Sequence, residues 1–450
     1  MSIDKMNEAF NITSLFAEAA KKNPGKTAII FKDKKISFTE LEKQIDKTAQ
    51  YFLSKKIGKG DRVLIFLPMS IHLYRIVLAL FKIGAIAVFL DEWVSKKRME
   101  ECCKVAECKA FIAIFKVRLL SNFSNELRKI PIKLTPDFTS VKQHENTAGT
   151  VKDDIALITF TTGSTGIPKA AIRTHGILYN QFNALKEKIN PEERDVSMTT
   201  LPIVLLINLA TGTTSVIAPF KASTPSRVNY KKIITPLVSH LVNSLIASPF
   251  FIKGLSKHII QKGISLPGIE KIFTGGAPVF PAEGKLYLQA FPRAKIEVVY
   301  GSTEAEPISS INIEALVSEN NFLREGLDVG KVAACAQVKI IQMIDDIVIA
   351  QTEDDLRNIE MPVKGIGEII VSGNHVLQEY LNNEMAIKRN KIFIGSICWH
   401  RTGDSGYIDE AGTLYLTGRC NTIIREANKI YYPFLFENYF QAIQGVEMGT

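Results

Sequence analysis

"TTGSTGIPK" (Thr161–Lys169) puts a run of hydroxyls, two glycines and one lysine into nine residues, directly after the apolar run "IALITF" (Ile155–Phe160). Glycine lets a backbone approach a ligand closely, and consecutive amides in a tight loop form an anion-binding nest. The Ser and Thr hydroxyls add neutral donors and Lys169 adds a compact positive charge, a set of groups suited to a polyphosphate. The spacing is not that of a Walker A loop, because Pro168 precedes Lys169 where that motif requires glycine. A mobile polar turn has the same composition, so this loop alone leaves both readings open.

The flanking sequence supplies a frame. "SLFAEAAKKNPGKTAIIF" predicts a helix that stops before Pro24–Gly25, then a strand. "KISFTELEKQIDKTAQYFLSKK" predicts a second helix opened by a capping box of Thr39 with Glu42, with Leu41, Ile45, Ala49 and Phe52 at helical spacing. The strand "RVLIFLP" follows the turn "GKGD" (Gly58–Asp61). "YRIVLALFKIGAIAVFLD" (Tyr74–Asp91) carries Arg75, Lys82 and Gly84, which a membrane span tolerates poorly. It reads as a buried helix, a glycine turn and the strand "AIAVFL". Residues 135–154 are polar and aperiodic, an exposed connection leading into the opening motif.

Beyond that motif, "KIFTGGAPVFP" (Lys271–Pro281) is a strand breaking at Gly-Gly, and "KIEVVYGSTEAEP" (Lys295–Pro307) is a strand ending in another Gly-and-hydroxyl loop. "GEIIVSG" (Gly367–Gly373) and "GTLYLTGR" (Gly412–Arg419) belong to a more β-rich section. Helices alternating with short β-branched strands predict an α/β architecture, with parallel-rich sheets flanked by helices plus that β-rich section. Three polar loops then fall at the C-terminal ends of strands, the edge at which open α/β sheets bind ligands.

At 450 residues the chain is too long for one simple core. Its 46% hydrophobic and 22% charged residues exclude a disordered chain. The net charge of +9 favours anionic ligands or acidic partners, but it is spread along the chain; no dense basic stripe marks a nucleic-acid footprint. Six cysteines, at 102, 103, 108, 335, 398 and 420, make no disulfide framework. Cys102, Cys103 and Cys108 have no nearby Cys or His at zinc-like spacing, so reduced, partly buried thiols are expected. "MSIDKMNEAFNITS" has neither the basic start nor the apolar core of a signal peptide. A cytoplasmic protein without a membrane span is the expectation.

Four motifs occur in order: "TTGSTGIPK", "TGGAPVFP", "VYGSTEAEP" and "HRTGDSGYIDEAGTLYLTGR". The series resembles the adenylate-forming superfamily, which holds acyl-CoA synthetases, peptide-synthetase adenylation domains and luciferases. "SFTELEKQIDKTAQYF", "GKGDRVLIFLP" and "FKIGAIAVFLD" resemble that family's early segments, so the likeness covers nearly the whole chain. By position it implies that Thr161, Thr162, Gly163, Ser164, Thr165, Gly166 and Lys169 form the phosphate loop over the β- and γ-phosphates of ATP. Gly275, Gly276 and Ala277 would pass along one face of the adenine and Tyr300 would stack on the other. In the segment Tyr300, Gly301, Ser302, Thr303, Glu304, the threonine would donate to the α-phosphate and Glu304 would bind Mg²⁺, a hard ion that prefers carboxylate oxygen. Asp404 would accept both ribose hydroxyls, and Arg419 would give a forked donor to ribose or phosphate. Lys169, Thr303 and Glu304 are then the catalytic candidates. The implied reaction joins a carboxylate to the α-phosphate, releases pyrophosphate, and passes the acyl group to a second nucleophile.

Several positions depart from the family pattern. Ala170 stands where glycine is usual, His400 replaces a frequent tyrosine, and Val299 precedes Tyr300 where an amide side chain is common. Asn421 occupies the hinge position, and Asn428 replaces a glycine. The resemblance sets residues 1–418 as the AMP-binding lobe and 419–450 as the hinge and start of a C-terminal lobe. Those 32 residues are shorter than a typical domain, so that lobe and its lysine are expected to be incomplete here. "YGSTEAEPIS" and "WHRTGDSGYID" look closest to long-chain acyl activators and olefin β-lactone synthetases. "LPIVLLINLATG" (Leu201–Gly212), matching the family's acyl pocket, is nearly all aliphatic and lacks a carboxylate, which points to a fatty or β-hydroxy fatty acid; a plain core strand would read the same. The acceptor would be CoA, an acidic acyl carrier protein or the substrate's own hydroxyl. The competing expectation is a non-catalytic module that binds nucleotide or acyl-adenylate.

Overall fold

The computed structural model describes residues 8–90, 95–121, 124–138, 149–161, 168–220, 228–318, 326–427, 429–441, 443 and 446. The chain divides into two compact units, Met1–Val242 with Glu379–Asn383, and Asn243–Gln378 with Glu384–Thr450.

In the first unit the strands are β1 (Thr27–Phe31), β2 (Lys34–Ser37), β3 (Arg62–Phe66), β4 (Ile86–Phe89), β5 (Ala110–Ala113), β6 (Ile132–Leu134), β7 (Ile155–Thr161), β8 (Lys169–Thr174), β9 (Val196–Thr199) and β10 (Thr214–Ile217). One sheet runs β6-β5-β3-β4-β7-β8, parallel throughout except for the β7/β8 pair. A second runs β9-β10-β1-β2 and is parallel but for β1/β2. Helices α1 (Thr13–Lys22), α2 (Phe38–Ser54), α3 (Ile71–Lys82), α4 (Lys96–Ala106), α5 (Phe115–Leu120), α6 (Asn125–Lys129), α7 (His175–Ile189), α8 (Pro202–Thr211) and α9 (Tyr230–Ser239) alternate with them.

The central strands β3, β4 and β5 are apolar apart from Arg62 at the start of β3, because both faces of the first sheet are covered. Val63 and Ile65 pack into a core shared with Phe38, Phe52, Ile76 and Leu80 of α2 and α3, while Leu64 between them packs on the other side with Val88, Phe111 and Cys102. The first core also holds Ile29 of β1, Ile217 of β10 and Leu205 and Leu209 of α8, so the helices lie between the two sheets of this unit. The thiols of Cys103 and Cys108 are buried, which pushes both up to about 12 and leaves them unreactive near neutral pH.

Two local readings change. The second helix starts at Phe38, and its cap is Ser37, whose hydroxyl accepts from the Glu40 amide at 3.2 Å. Thr39 lies inside the helix and donates to the Pro24 carbonyl at 2.9 Å. Leu201–Gly212 is a helix, not a strand: Pro202 opens it with a preset φ and Gly212, at φ +76°, closes it in the left-handed region. Of the connection expected to be exposed, 139–148 lies outside the described residues; the rest is exposed or half-buried except Thr150, whose hydroxyl donates to the Phe10 carbonyl at 2.7 Å.

In the second unit β11 (Ser244–Ala247), β12 (Lys271–Gly275) and β13 (Lys295–Ser302) are parallel, with α10 (Pro249–Lys262) and α11 (Pro281–Ala290) as crossovers. From β13 onward every pairing turns antiparallel, through β14 (Ala305–Asn312), β15 (Leu327–Val332), β16 (Gln337–Ile341), β17 (Gly367–Ser372), β18 (Lys391–Ile394), β19 (Ile397–Ile408) and β20 (Thr413–Arg419). This is the β-rich section anticipated from "GEIIVSG" and "GTLYLTGR". The fold is α/β, with parallel-rich sheets and flanking helices.

Replacing Ser37 with alanine removes the α2 cap and should cost about 1 kcal/mol, read as a lower thermal unfolding midpoint. Alanine at Thr39 should cost less; the reverse order would return the cap to Thr39.

Candidate active site

In the first unit, β7 and β8 pair Thr161 with Lys169 across the mouth of the opening loop. Thr162, Gly163, Ser164, Thr165 and Gly166 lie outside the described residues. The Thr161 carbonyl accepts from Arg98 at 3.2 Å, and the Lys169 ammonium sits 5.5 Å from the centre of the Tyr380 ring. Tyr380 belongs to the short return segment Glu379–Asn383, which bridges to Ala171, and the Leu381 amide donates to the Ala170 carbonyl at 2.9 Å. That segment fixes the strand from which Lys169 projects.

β8 leads straight into α7, whose first residue, His175, is fully buried. Its Nδ1 accepts from the Ile12 amide at 3.3 Å, and Nε2 finds no partner among the described residues. Burial drives its pKa from 6.5 to about 4, opposed by nearby Asp154 and reinforced by Lys59. Sequence reading passed over this histidine; a polar ring at the first position of an apolar-faced helix was the available sign.

In the second unit the parallel β12/β13 pair sets Gly275 beside Val299. A Cβ at Gly275 would lie 2.4 Å from the Val299 carbonyl oxygen, so only glycine fits this edge. Gly276 follows at φ +87°, outside the range open to most side chains, and turns the chain toward Ala277. β13 does not run into an open loop. Ser302 pairs directly with Ala305, so Thr303 and Glu304 form the tip of a hairpin, with Gly301 closely packed behind it. Glu304 is buried and its carbonyl accepts from the Leu377 amide at 2.8 Å. The Ser302 hydroxyl is buried with no hydrogen-bond partner among the described residues.

Three of the expected residues meet around one carboxylate. Asp404 of β19 lies opposite Arg419 of β20 in register. The Tyr300 hydroxyl donates to Asp404 Oδ2 at 2.7 Å, and Arg419 donates to Oδ1 at 2.6 Å. Burial, then Asp404, raises the Tyr300 phenol well above its usual range, so it stays a donor. Asp404 in turn holds the Arg419 guanidinium above its ordinary value. Only 14% of the Asp404 side chain is exposed against 59% for Arg419, so the acid is the fixed member.

Two residues that sequence reading left unassigned hold Asp404 there. Arg401, three residues upstream, is buried and donates twice to Glu368 of β17, at 3.0 and 2.6 Å. Its remaining donors reach the carbonyls of Asp346 at 2.7 Å and Ile344 at 2.5 Å. Thr402 donates to the Ile369 carbonyl and accepts from the Asp404 amide, at 2.8 and 3.0 Å. Burial raises the Glu368 carboxyl, with Arg401 opposing. A glutamate within the apolar run "GEIIVSG" was the signal, because a buried acid requires a partner.

Such a fold, with glycine-lined strand ends and an acid flanked by phenol and guanidinium, is that of an adenylate-forming enzyme. The chain belongs to the AMP-binding enzyme family, which matches residues 16–381. It is 28% identical to an olefin beta-lactone synthetase of Stenotrophomonas maltophilia, over 98% of this chain and 85% of that protein. It is 26% identical to a 2-succinylbenzoate–CoA ligase of Listeria innocua, over 97% and 84% of the two. O-succinylbenzoate coenzyme A synthetase of Bacillus subtilis, solved in complex with ATP and magnesium ion, superposes with a TM-score of 0.76 at 22% identity, over 93% of this chain and 82% of that one. Among the described residues, no helix is long and apolar enough to cross a membrane.

His175 gives the first unit a pH dependence. The unfolded chain takes up a proton near pH 6.5 and the folded chain only near 4, so the folded state binds fewer protons between them. Its contribution is complete above pH 6.5 and is lost as pH falls toward 4, by about 3 kcal/mol. His175→Gln should flatten the pH dependence of the unfolding midpoint across that window, whatever its effect at pH 7.5. An unchanged slope would remove His175 from this role.

Proposed function

We infer that the chain activates a carboxylic acid with ATP, releasing pyrophosphate, and then hands the acyl group to a thiol or closes it as a β-lactone. The observation that carries the reading is the Tyr300–Asp404–Arg419 arrangement, in a member of a family named for binding AMP. Asp404 accepts from the ribose hydroxyls, Tyr300 supplies a flat face to the base, and Gly275–Ala277 lets the backbone approach its other face. Lys169 with the Thr161–Gly166 loop takes the distal phosphates, which keeps charge balanced as the acid carboxylate approaches. Thr303 donates to the α-phosphate.

Glu304 fits magnesium by its chemistry, a buried carboxylate at a hairpin tip that offers hard oxygen ligands. Bound there, the ion would neutralise phosphate charge. The solved relative with ATP and magnesium supports this pairing.

The substrate is proposed to be an apolar acid, a fatty or β-hydroxy fatty acid. Support comes from α8, whose "LPIVLLINLAT" segment offers no carboxylate to a substrate ammonium, and from the olefin beta-lactone synthetase likeness. As acceptors, CoA and an acidic carrier protein both suit the net charge of +9. Residues 419–450 are proposed as the hinge and the start of a C-terminal lobe.

Acid-dependent pyrophosphate release across a panel of acids tests the activity. Medium and long fatty acids should outperform free amino acids, and the opposite order would overturn the apolar assignment. Lys169→Ala should weaken ATP by about tenfold or more while leaving AMP nearly unchanged, as expected for one charge-assisted contact to a distal phosphate. Equal losses for both nucleotides would take Lys169 off the distal phosphates.

A further inference from the structure

Asp404 has two acceptor oxygens, and a vicinal diol needs both of them facing one way. The terminal torsion of aspartate is broad, so a lone carboxylate samples many orientations. Here each oxygen already carries one donor: the Tyr300 phenol on Oδ2 and the Arg419 guanidinium on Oδ1. Each carboxylate oxygen has two acceptor positions, so one per oxygen is spent and one is left. The two clamps differ. Arg419 is a flexible side chain, more than half exposed. Tyr300 is carried on β13 between β12 and β14, with its backbone paired to Ser309 of β14.

We propose that Tyr300 acts on the nucleotide through its hydroxyl as well as its ring: as a positioning residue, it locks the Asp404 carboxylate in the orientation that recognises a ribose diol. This rests on the assignment of Asp404 to the ribose. The ring would stack on the base in any case, and phenylalanine would do that equally well. What phenylalanine lacks is the donor that removes the carboxylate's rotational freedom before the ligand arrives, and that pre-ordering favours binding.

The test titrates the full chain, with magnesium present, with ATP, 2′-deoxy-ATP and 3′-deoxy-ATP. The wild-type protein, Tyr300→Phe, Tyr300→Ala and Asp404→Asn are compared. The wild type should prefer ATP to both deoxynucleotides. Tyr300→Phe should lose about tenfold on ATP and far less on the deoxynucleotides, so the preference collapses toward one. Tyr300→Ala should weaken all three further, because the ring is gone. The preference is a ratio measured on the same folded molecules, so a merely destabilised variant does not mimic its collapse. A Tyr300→Phe protein that keeps the wild-type preference, or binds ATP more tightly, overturns the proposal while the ribose assignment stands. If the wild type shows no preference and Asp404→Asn binds ATP unchanged, the ribose assignment fails, and the proposal with it.

Discussion

The second unit depends on how a guanidinium is kept out of water. Arg401 is buried on β19 with its donors directed at Glu368 and at carbonyls of Ile344 and Asp346, so an irregular segment is gathered against the middle of a sheet. A buried pair of this kind is weak evidence for net stability, since desolvating two charges offsets much of their attraction. Its value is in specifying one arrangement: Arg401 lies opposite Ile370 in register and reaches back along β17 to Glu368. Thr402 and Asp404 follow within three residues. The carboxylate at the site therefore takes its position from a strand that this contact anchors.

Much of the fold was legible because both-sided burial leaves an unambiguous trace. "VLIF" (Val63–Phe66) and "IAVF" (Ile86–Phe89) are apolar at every position, as a strand covered on two faces requires. The α8 segment shows the limit of the same signal. "PIVLLINLAT" is a short apolar run too, and periodicity cannot separate a buried helix from a buried strand. Here Pro202 and Gly212 decided it, as an N-terminal proline and a C-terminal glycine. The capping hydroxyl was off by two residues for a similar reason: Ser37 and Thr39 each head a Ser/Thr-x-x-Glu pattern, and which one caps depends on where β2 ends.

For the site, sequence order located Tyr300, Asp404 and Arg419 but not the bonds among them. Residues 104 and 15 positions apart meet through sheet pairing, which no local pattern encodes. The hairpin at Thr303–Glu304 was likewise hidden, because "GSTE" lacks the Asn-Gly or Gly-Gly signature of a two-residue turn. Glu368 was visible only as a charge inside an apolar run, and Arg401 not even as that, since it stands in the polar stretch "HRTGDSG".

The return segment Glu379–Asn383 also bears on the order in which the chain is made. The first unit otherwise ends at Val242, yet β8 receives backbone bonding from Glu379, Tyr380 and Leu381. On a ribosome, which releases amino-terminal parts first, that edge of β8 waits for about 140 further residues to emerge. An unpaired strand edge is a template for wrong partners. Leu381, which packs against the core of this unit, arrives with the same segment, so the nascent first unit lacks both a strand partner and part of its core packing over one interval.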